Sequence, residues 1–159
     1  MKIYTVSFFG HRYISNMLDI EENLIPLLRE LIKTKEYIDF LIGREGEFDQ
    51  IAARIIRKVC KDLDCGNTHL TLVLPYMTAE FRDNEKYYLN YYDEVEIFSE
   101  SQSAYPKAAI SIRNRAMIDR SDIVICYVEK KSGGAYRAAR YAARQGKAVR
   151  NIYDGKSTV

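Results

Sequence analysis

From one end to the other, the chain alternates between short apolar runs and longer stretches in which apolar residues recur every three or four positions. That repeated switch of period constrains the fold more than any other feature. It specifies strand and helix in alternation, hence a sheet covered by helices. Residues 3–9 make the first expected strand, ended by Gly10. A helix follows on the stripe Ile20, Leu24, Leu27, Leu28, Leu31 and Ile32, with Asp19 and Glu22 as its capping box. Pro26 falls inside that stripe and is expected to kink the helix or loosen its first turn. Residues 38–42 form a second strand, closed by Gly43. The next helix buries Ile51, Ala52, Ile55, Ile56, Val59 and Leu63 behind an Asp49 N-cap. A third strand covers 70–74 and stops at Pro75.

The texture then changes. Residues 76–106 carry six of the 13 tyrosines and predict only a short helix near 83–91 and a short strand near 94–98. This stretch reads as a lid, a dimer surface or a connector. Beyond it the alternation resumes, with a helix over 107–120, a strand over 122–128, a helix over 135–145 and a strand over 148–153. Residues 154–159 read as a frayed end. The run Asp-Ile-Val-Ile-Cys-Tyr-Val at 122–128 is apolar without alternation, as a strand buried on both faces must be. The fold class that follows is α/β, Rossmann-like and doubly wound. It has a mainly parallel sheet with helices on both faces, in a single domain over 1–159.

Composition narrows the function. The 24 basic and 22 acidic residues leave a net charge of only +2, which argues against a protein built for duplex DNA. Cys60, Cys65 and Cys126 are odd in number and contain no Cys-x-x-Cys pair, so a disulfide framework is not expected and a cytoplasmic location is. Cys60, Cys65 and His69 lack the spacing of a zinc site. No apolar run approaches the roughly 18 residues of a membrane span, and the amino terminus lacks a signal-peptide core. Neither the GxGxxG fingerprint nor a P-loop is present, so no cofactor or metal is expected.

In open parallel sheets ligands sit beyond the carboxyl ends of the strands. The loops there are Gly10-His11-Arg12, residues 43–49, Pro75-Tyr76 and residues 132–135. With the first strand beside the one at 122–128, Gly10 and Gly133 face one crevice. Glycines in such loops permit close backbone approach, and a following helix start favours phosphate. Gly10, Gly43, Gly46, Gly133 and Gly134 are therefore candidate ligand contacts. Arg113 falls on the inward stripe of its helix with Ile110 and Met117, so it needs an anion, either a ligand phosphate or ribose or an internal carboxylate such as Asp49 or Asp122. Asn114 lies beside it. His11 and Arg12 follow the first strand and complete the candidate set. Asp49, besides capping, is placed to meet ribose hydroxyls. Glu45 and Glu47 are candidate acid–base groups without a visible nucleophile. Arg115 with Asp119, and the line Arg137, Arg140 and Arg144, read as solvated faces.

Five segments carry a family resemblance: SFFGHR at 7–12, LIGREGEFDQIA at 41–52, LVLPY at 72–76, RNRAMIDRSD at 113–122 and GGAYRAARYA at 133–142. Together they resemble the SLOG superfamily of Rossmann-like proteins, and within it a small bacterial subgroup with little assigned activity. The resemblance implies the fold directly. Its phosphoribohydrolases carry PGGxGTxxE and an upstream arginine. Arg113 matches that arginine and Gly134-Ala135 the glycine and threonine, but the catalytic glutamate falls on Ala138. Its DNA-processing proteins have an arginine–asparagine pair similar to Arg113-Asn114 and bind single-stranded DNA; other members sense nucleotide-derived signals. The expected function is thus binding or sensing of a phosphorylated, nucleotide-like small molecule, with a nucleotide N-glycosidase and a single-stranded nucleic-acid binder as alternatives. A homo-oligomer is compatible with either.

Overall fold

The computed structural model describes residues 1–101 and 104–153. The first turn of the chain after β1 (Ile3–Gly10) leads into α1 (Met17–Thr34), β2 (Tyr37–Ile42) and α2 (Glu47–Leu63). Then come β3 (Thr68–Leu74), the short helices α3 (Ala79–Asp83) and α4 (Glu85–Tyr91), and β4 (Glu94–Ile97). Helix α5 (Pro106–Asp119), β5 (Ile123–Tyr127), α6 (Gly134–Arg144) and β6 (Ala148–Asn151) complete the order. The six strands form one sheet in the order β4-β3-β2-β1-β5-β6, and every described pairing is parallel. The fold is α/β and Rossmann-like, and the sheet is wholly parallel where mainly parallel was expected.

Strand pleating explains the layers. Side chains alternate between faces, so each apolar strand supplies two cores. Val6 and Phe8, Ile38, Phe40 and Ile42, Leu70, Leu72 and Leu74, and Ile125 with Tyr127 point to the side covered by α1 and α2. Phe9, Leu41, Val73, Val124 and Cys126 point to the other side, where Met117 and Ile118 of α5 and Ala138, Ala139 and Ala142 of α6 cover them. The alanine face of α6 lets that helix lie close to the sheet, beside β1, β5 and β6.

Three local expectations are corrected. Helix α1 starts at Met17, so Asn16 is its cap and accepts the Asp19 N–H at 3.1 Å. Asp19 lies inside the first turn and accepts from the Tyr127 hydroxyl at 3.1 Å. The helix runs on through Pro26. Helix α2 starts at Glu47 with Gly46 at the cap position, so Asp49 is its third residue and not its cap. From there its carboxylate reaches back to the Glu45 N–H at 3.2 Å, as acidic groups in a first turn do. Arg115 and Asp119 do not pair with each other. Arg115 lies over the Tyr141 ring, and Asp119 accepts the Tyr141 hydroxyl at 2.7 Å.

The tyrosine-rich stretch adds β4 to the sheet edge and packs Phe81, Tyr88 and Tyr92 into the α1/α2-side core. Arg44 is held there between the Tyr88 ring and the Tyr92 hydroxyl. Cys60 and Cys65 meet the Thr68 hydroxyl, and His69 meets Glu94. Among the described residues no cluster suits a metal ion, and no helix is long and apolar enough to cross a membrane. The expected frayed end, residues 154–159, lies outside the described residues.

Candidate functional site

Because all strands run the same way, their carboxyl ends share one side of the sheet. Strand order reverses between β1 and β5: β1 connects onward to β2 on one flank, whereas β5 is reached by a crossover to the other. The reversal leaves a cleft of about 1320 Å³, where such sheets hold their ligands. Gly10, His11, Arg12, Gly43, Gly46, Asp49, Arg113, Asn114, Gly133 and Gly134 all line it.

The loops around the cleft are not equivalent. The turn after β1 docks on the start of α2: the Glu47 N–H donates to the Arg12 carbonyl at 2.9 Å, and the Glu47 carboxylate accepts the Ile14 N–H at 3.0 Å. Phe48 N–H points to the His11 carbonyl at 3.4 Å. The first amides of α2 are thereby spent inside the protein. The glycines of these loops serve the same docking. A Cβ on Gly10 would stand 2.1 Å from the Phe48 ring, and one on Gly46 would stand 2.5 Å from the Arg12 backbone. His11 ties the opposite loop in place, its Nε2 accepting the N–H groups of Glu129 at 2.9 Å and Lys130 at 3.1 Å. Two donors on one nitrogen require the neutral ring. Burial accordingly holds His11 below its usual range.

At the floor, Arg113 is buried and spends each of its nitrogens on the protein. Nε donates to Asn114 Oδ1 at 3.0 Å, Nη1 to the Val73 carbonyl at 2.8 Å, and Nη2 closes on the Glu45 carboxylate. The internal partner is therefore Glu45, not Asp49 or Asp122; Asp122 instead accepts the Thr5 N–H at 2.8 Å. Asp49 nevertheless belongs to the same cluster. A Cβ on Gly43 would lie 2.6 Å from Glu45 Oε1 and 3.1 Å from both Arg113 Nη1 and Asp49 Oδ2. Only a glycine lets the three charged groups converge under the β2 turn. Burial, and then the nearby Glu45 charge, push the Asp49 carboxyl up to about 7.

The start of α6 is the contrasting end. Gly133 occupies the cap position at φ +91°, no side chain caps the helix, and its first turn holds no acidic residue. None of the described hydrogen bonds uses the Gly134, Ala135 or Tyr136 amides, and Cβ positions on Gly133 and Gly134 would face open space. Unspent amides and the positive helix end together attract anions. The same cleft is lined by Arg12, Lys107, Arg115, Lys130, Arg137, Arg140 and Arg144. None takes part in an ion pair among the described residues.

That rim is hidden in the sequence, because the helical spacing of Arg137, Arg140 and Arg144 shows a polar face without showing what the face borders. The signal available was the absence of acidic partners one turn away along α6. No described residue between 76 and 105 lines the cleft, so the tyrosine-rich stretch is an edge of the sheet and not its lid. Ala138 is buried in the α6 packing face, and no carboxylate stands in its place.

No family model matches the chain, and no curated protein matches it significantly. Solved structures do. DNA processing protein A (DprA) from Streptococcus pneumoniae aligns with a TM-score of 0.65 at 15% identity, over 92% of this chain and 49% of that one. DprA from Helicobacter pylori, described for its single-stranded DNA binding mode, aligns with a TM-score of 0.62 at 20% identity, over 92% of this chain and 63% of that one. The structural-genomics target TM1055 aligns with a TM-score of 0.55 at 14% identity, over 92% and 72%. The chain thus spans about half the length of the first of these proteins and under two thirds of the second. What it shares with all three is the Rossmann-like α/β fold.

Proposed function

We propose that the cleft binds a phosphorylated, nucleotide-derived small molecule, with the phosphate seated at the start of α6, and that the chain works as a binding or sensing domain. The observation that carries this reading is the uncapped first turn of α6, with its unspent amides and a rim of seven unpaired cations. On this reading Gly133 and Gly134 give the ligand close backbone approach. Arg12 and Lys130 supply charge, and Asn114 and Asp49 supply polar contacts from the floor. Gly10, Gly43, Gly46, His11 and Arg113 shape the cleft from within. Membership of the SLOG superfamily and a single domain over 1–159 are part of the same proposal, supported by the fold likeness and the five segments. The thiols of Cys60, Cys65 and Cys126 suit a reducing compartment.

A ligand that binds the folded state raises its melting temperature by mass action. Nucleoside monophosphates, diphosphates and ADP-ribose are therefore expected to stabilise the protein, and the corresponding nucleosides to do so far less. No stabilisation by any phosphorylated probe at millimolar concentration overturns the proposal. Stabilisation by oligonucleotides alone would replace it with a nucleic-acid surface.

A further inference from the structure

Resting on that reading, the floor of the cleft has chemistry that the phosphate end does not explain. Asp49 is only 9% exposed. Its Oδ2 takes the Glu45 N–H, while its Oδ1 receives no hydrogen bond from any described residue, although Asp49 forms part of the cleft wall. No buried polar side-chain atom among the described residues lacks a partner, so this oxygen faces the open cleft, where a ligand can supply its donor. At the same guanidinium, Asn114 Oδ1 accepts from Arg113 Nε, and the Asn114 amide N–H groups have no acceptor among the described residues. The floor therefore offers one open acceptor and one open donor gathered around the same Arg113 guanidinium. It does not offer a free cation, because each nitrogen of Arg113 is engaged and the guanidinium offsets only one of two carboxyls.

A hydroxyl group donates and accepts at once, and two adjacent hydroxyls match such a pair of open positions. A phosphate does not, since the floor would set it against Glu45 and Asp49. We infer that Asp49 and Asn114 form the sugar subsite of the cleft and take the vicinal diol of a phosphorylated riboside, so that the protein discriminates against ligands lacking the 2′-hydroxyl. Gly43 is what permits this subsite, because any side chain there would fill the space in which Glu45, Arg113 and Asp49 meet. An Asp49 carboxyl that exchanges its proton near neutrality suits a neutral hydroxyl better than a fixed ligand cation.

The test is calorimetric titration of the full chain with adenosine, guanosine, cytidine and uridine 5′-monophosphates and with their 2′-deoxy counterparts. A site built around a ligand hydroxyl rejects the analogue that lacks it, so the ribo form of whichever base binds is expected to be tighter by about tenfold or more. That preference is expected to collapse in Asn114→Ala and in Asp49→Ala. Asn114 is only partly buried, so its variant keeps the test open should Asp49→Ala fail to fold. Equal affinity for ribo and deoxy forms in the wild type overturns the sugar subsite and leaves the phosphate site standing. So does a preference that survives in Asn114→Ala. No binding by any of these nucleotides overturns both.

Discussion

Arg113 and Glu45 close on each other beneath the β2 turn, and this pair determines which ligand charge the cleft floor can accept. The guanidinium reaches from α5 across the sheet end, takes the Val73 carbonyl on the way, and finishes on a carboxylate that is itself only 24% exposed. Removing one partner of a buried ion pair leaves the other uncompensated, at a cost of about 3–5 kcal/mol. Arg113→Ala is therefore expected to lower the urea midpoint by an amount equivalent to about 3 kcal/mol. Arg113→Lys recovers little, because an ammonium cannot make three contacts in a planar fork. Combining Arg113→Met with Glu45→Gln is expected to restore part of the loss. Equal destabilisation by the single and double variants would show that the pair is not what holds the floor.

The glycines separate into two groups that stability and binding measurements distinguish. Gly10→Ala forces a methyl group into the Phe48 ring and is expected to cost about 1–3 kcal/mol of folding stability. Gly134 faces open space. Gly134→Asp places a carboxylate in the first turn of α6, where the helix dipole stabilises it by about 0.3–1 kcal/mol. That variant is expected to melt no lower than the wild type and yet to lose nucleotide binding, since it fills the anion site with an anion. Retained binding would place the phosphate elsewhere.

Two groups make stability depend on pH with opposite signs. His11 sits below its ordinary 6.5 when folded, so the unfolded chain binds that proton more readily. Its contribution is complete above about 6.5 and is lost as the pH falls below it. Asp49 is raised from 3.8 to about 7, so its contribution is complete in acid and is lost as the pH rises through about 7. His11→Gln, which keeps an acceptor without a titration, is expected to flatten the acid limb of the melting profile. Asp49→Asn is expected to match the wild type near about pH 4 and to exceed it near about pH 8. A profile for Asp49→Asn parallel to that of the wild type at every pH would contradict the assignment.

The rim cations act at longer range. Reversing Arg137 and Arg140 together is expected to weaken nucleotide binding by about tenfold at low salt and less at high salt, because exposed charges are screened over roughly 10 Å at moderate ionic strength. Both residues are exposed and unpaired, so the melting temperature is expected to change little. A salt-independent loss would point to disturbed packing of α6 instead.

Much of this was legible in the sequence because the apolar pattern reports burial directly. The stripe on α1, the continuous run of β5 and the alanines of α6 each state which face is covered, and the placement of β1 beside β5 followed from the parallel-sheet rules. The convergence of Gly10, Gly43, Gly133 and Arg113 on one cleft was legible for the same reason. Polar partnerships were not. The choice of Glu45 over Asp49 for Arg113 turns on α2 beginning three residues earlier than an Asp49 cap would require, a boundary that periodicity does not fix. The engagement of Arg115 and Asp119 with Tyr141 depends on α5 and α6 lying side by side, which no local spacing reveals. The rim of the cleft was hidden because an unpaired arginine on a helix looks alike in sequence whether it faces water or a ligand.

The central claim is that the ligand phosphate sits on the amides that open α6. Amide chemical shifts of the isotope-labelled protein, followed during titration with the tightest-binding ribonucleotide and again with its unphosphorylated nucleoside, test it most directly. The expected result is a large, phosphate-dependent shift of Gly134, Ala135 and Tyr136, with Glu47 and Phe48 at the occupied start of α2 little changed. Shifts confined to α2, or identical shifts with nucleotide and nucleoside, would contradict it.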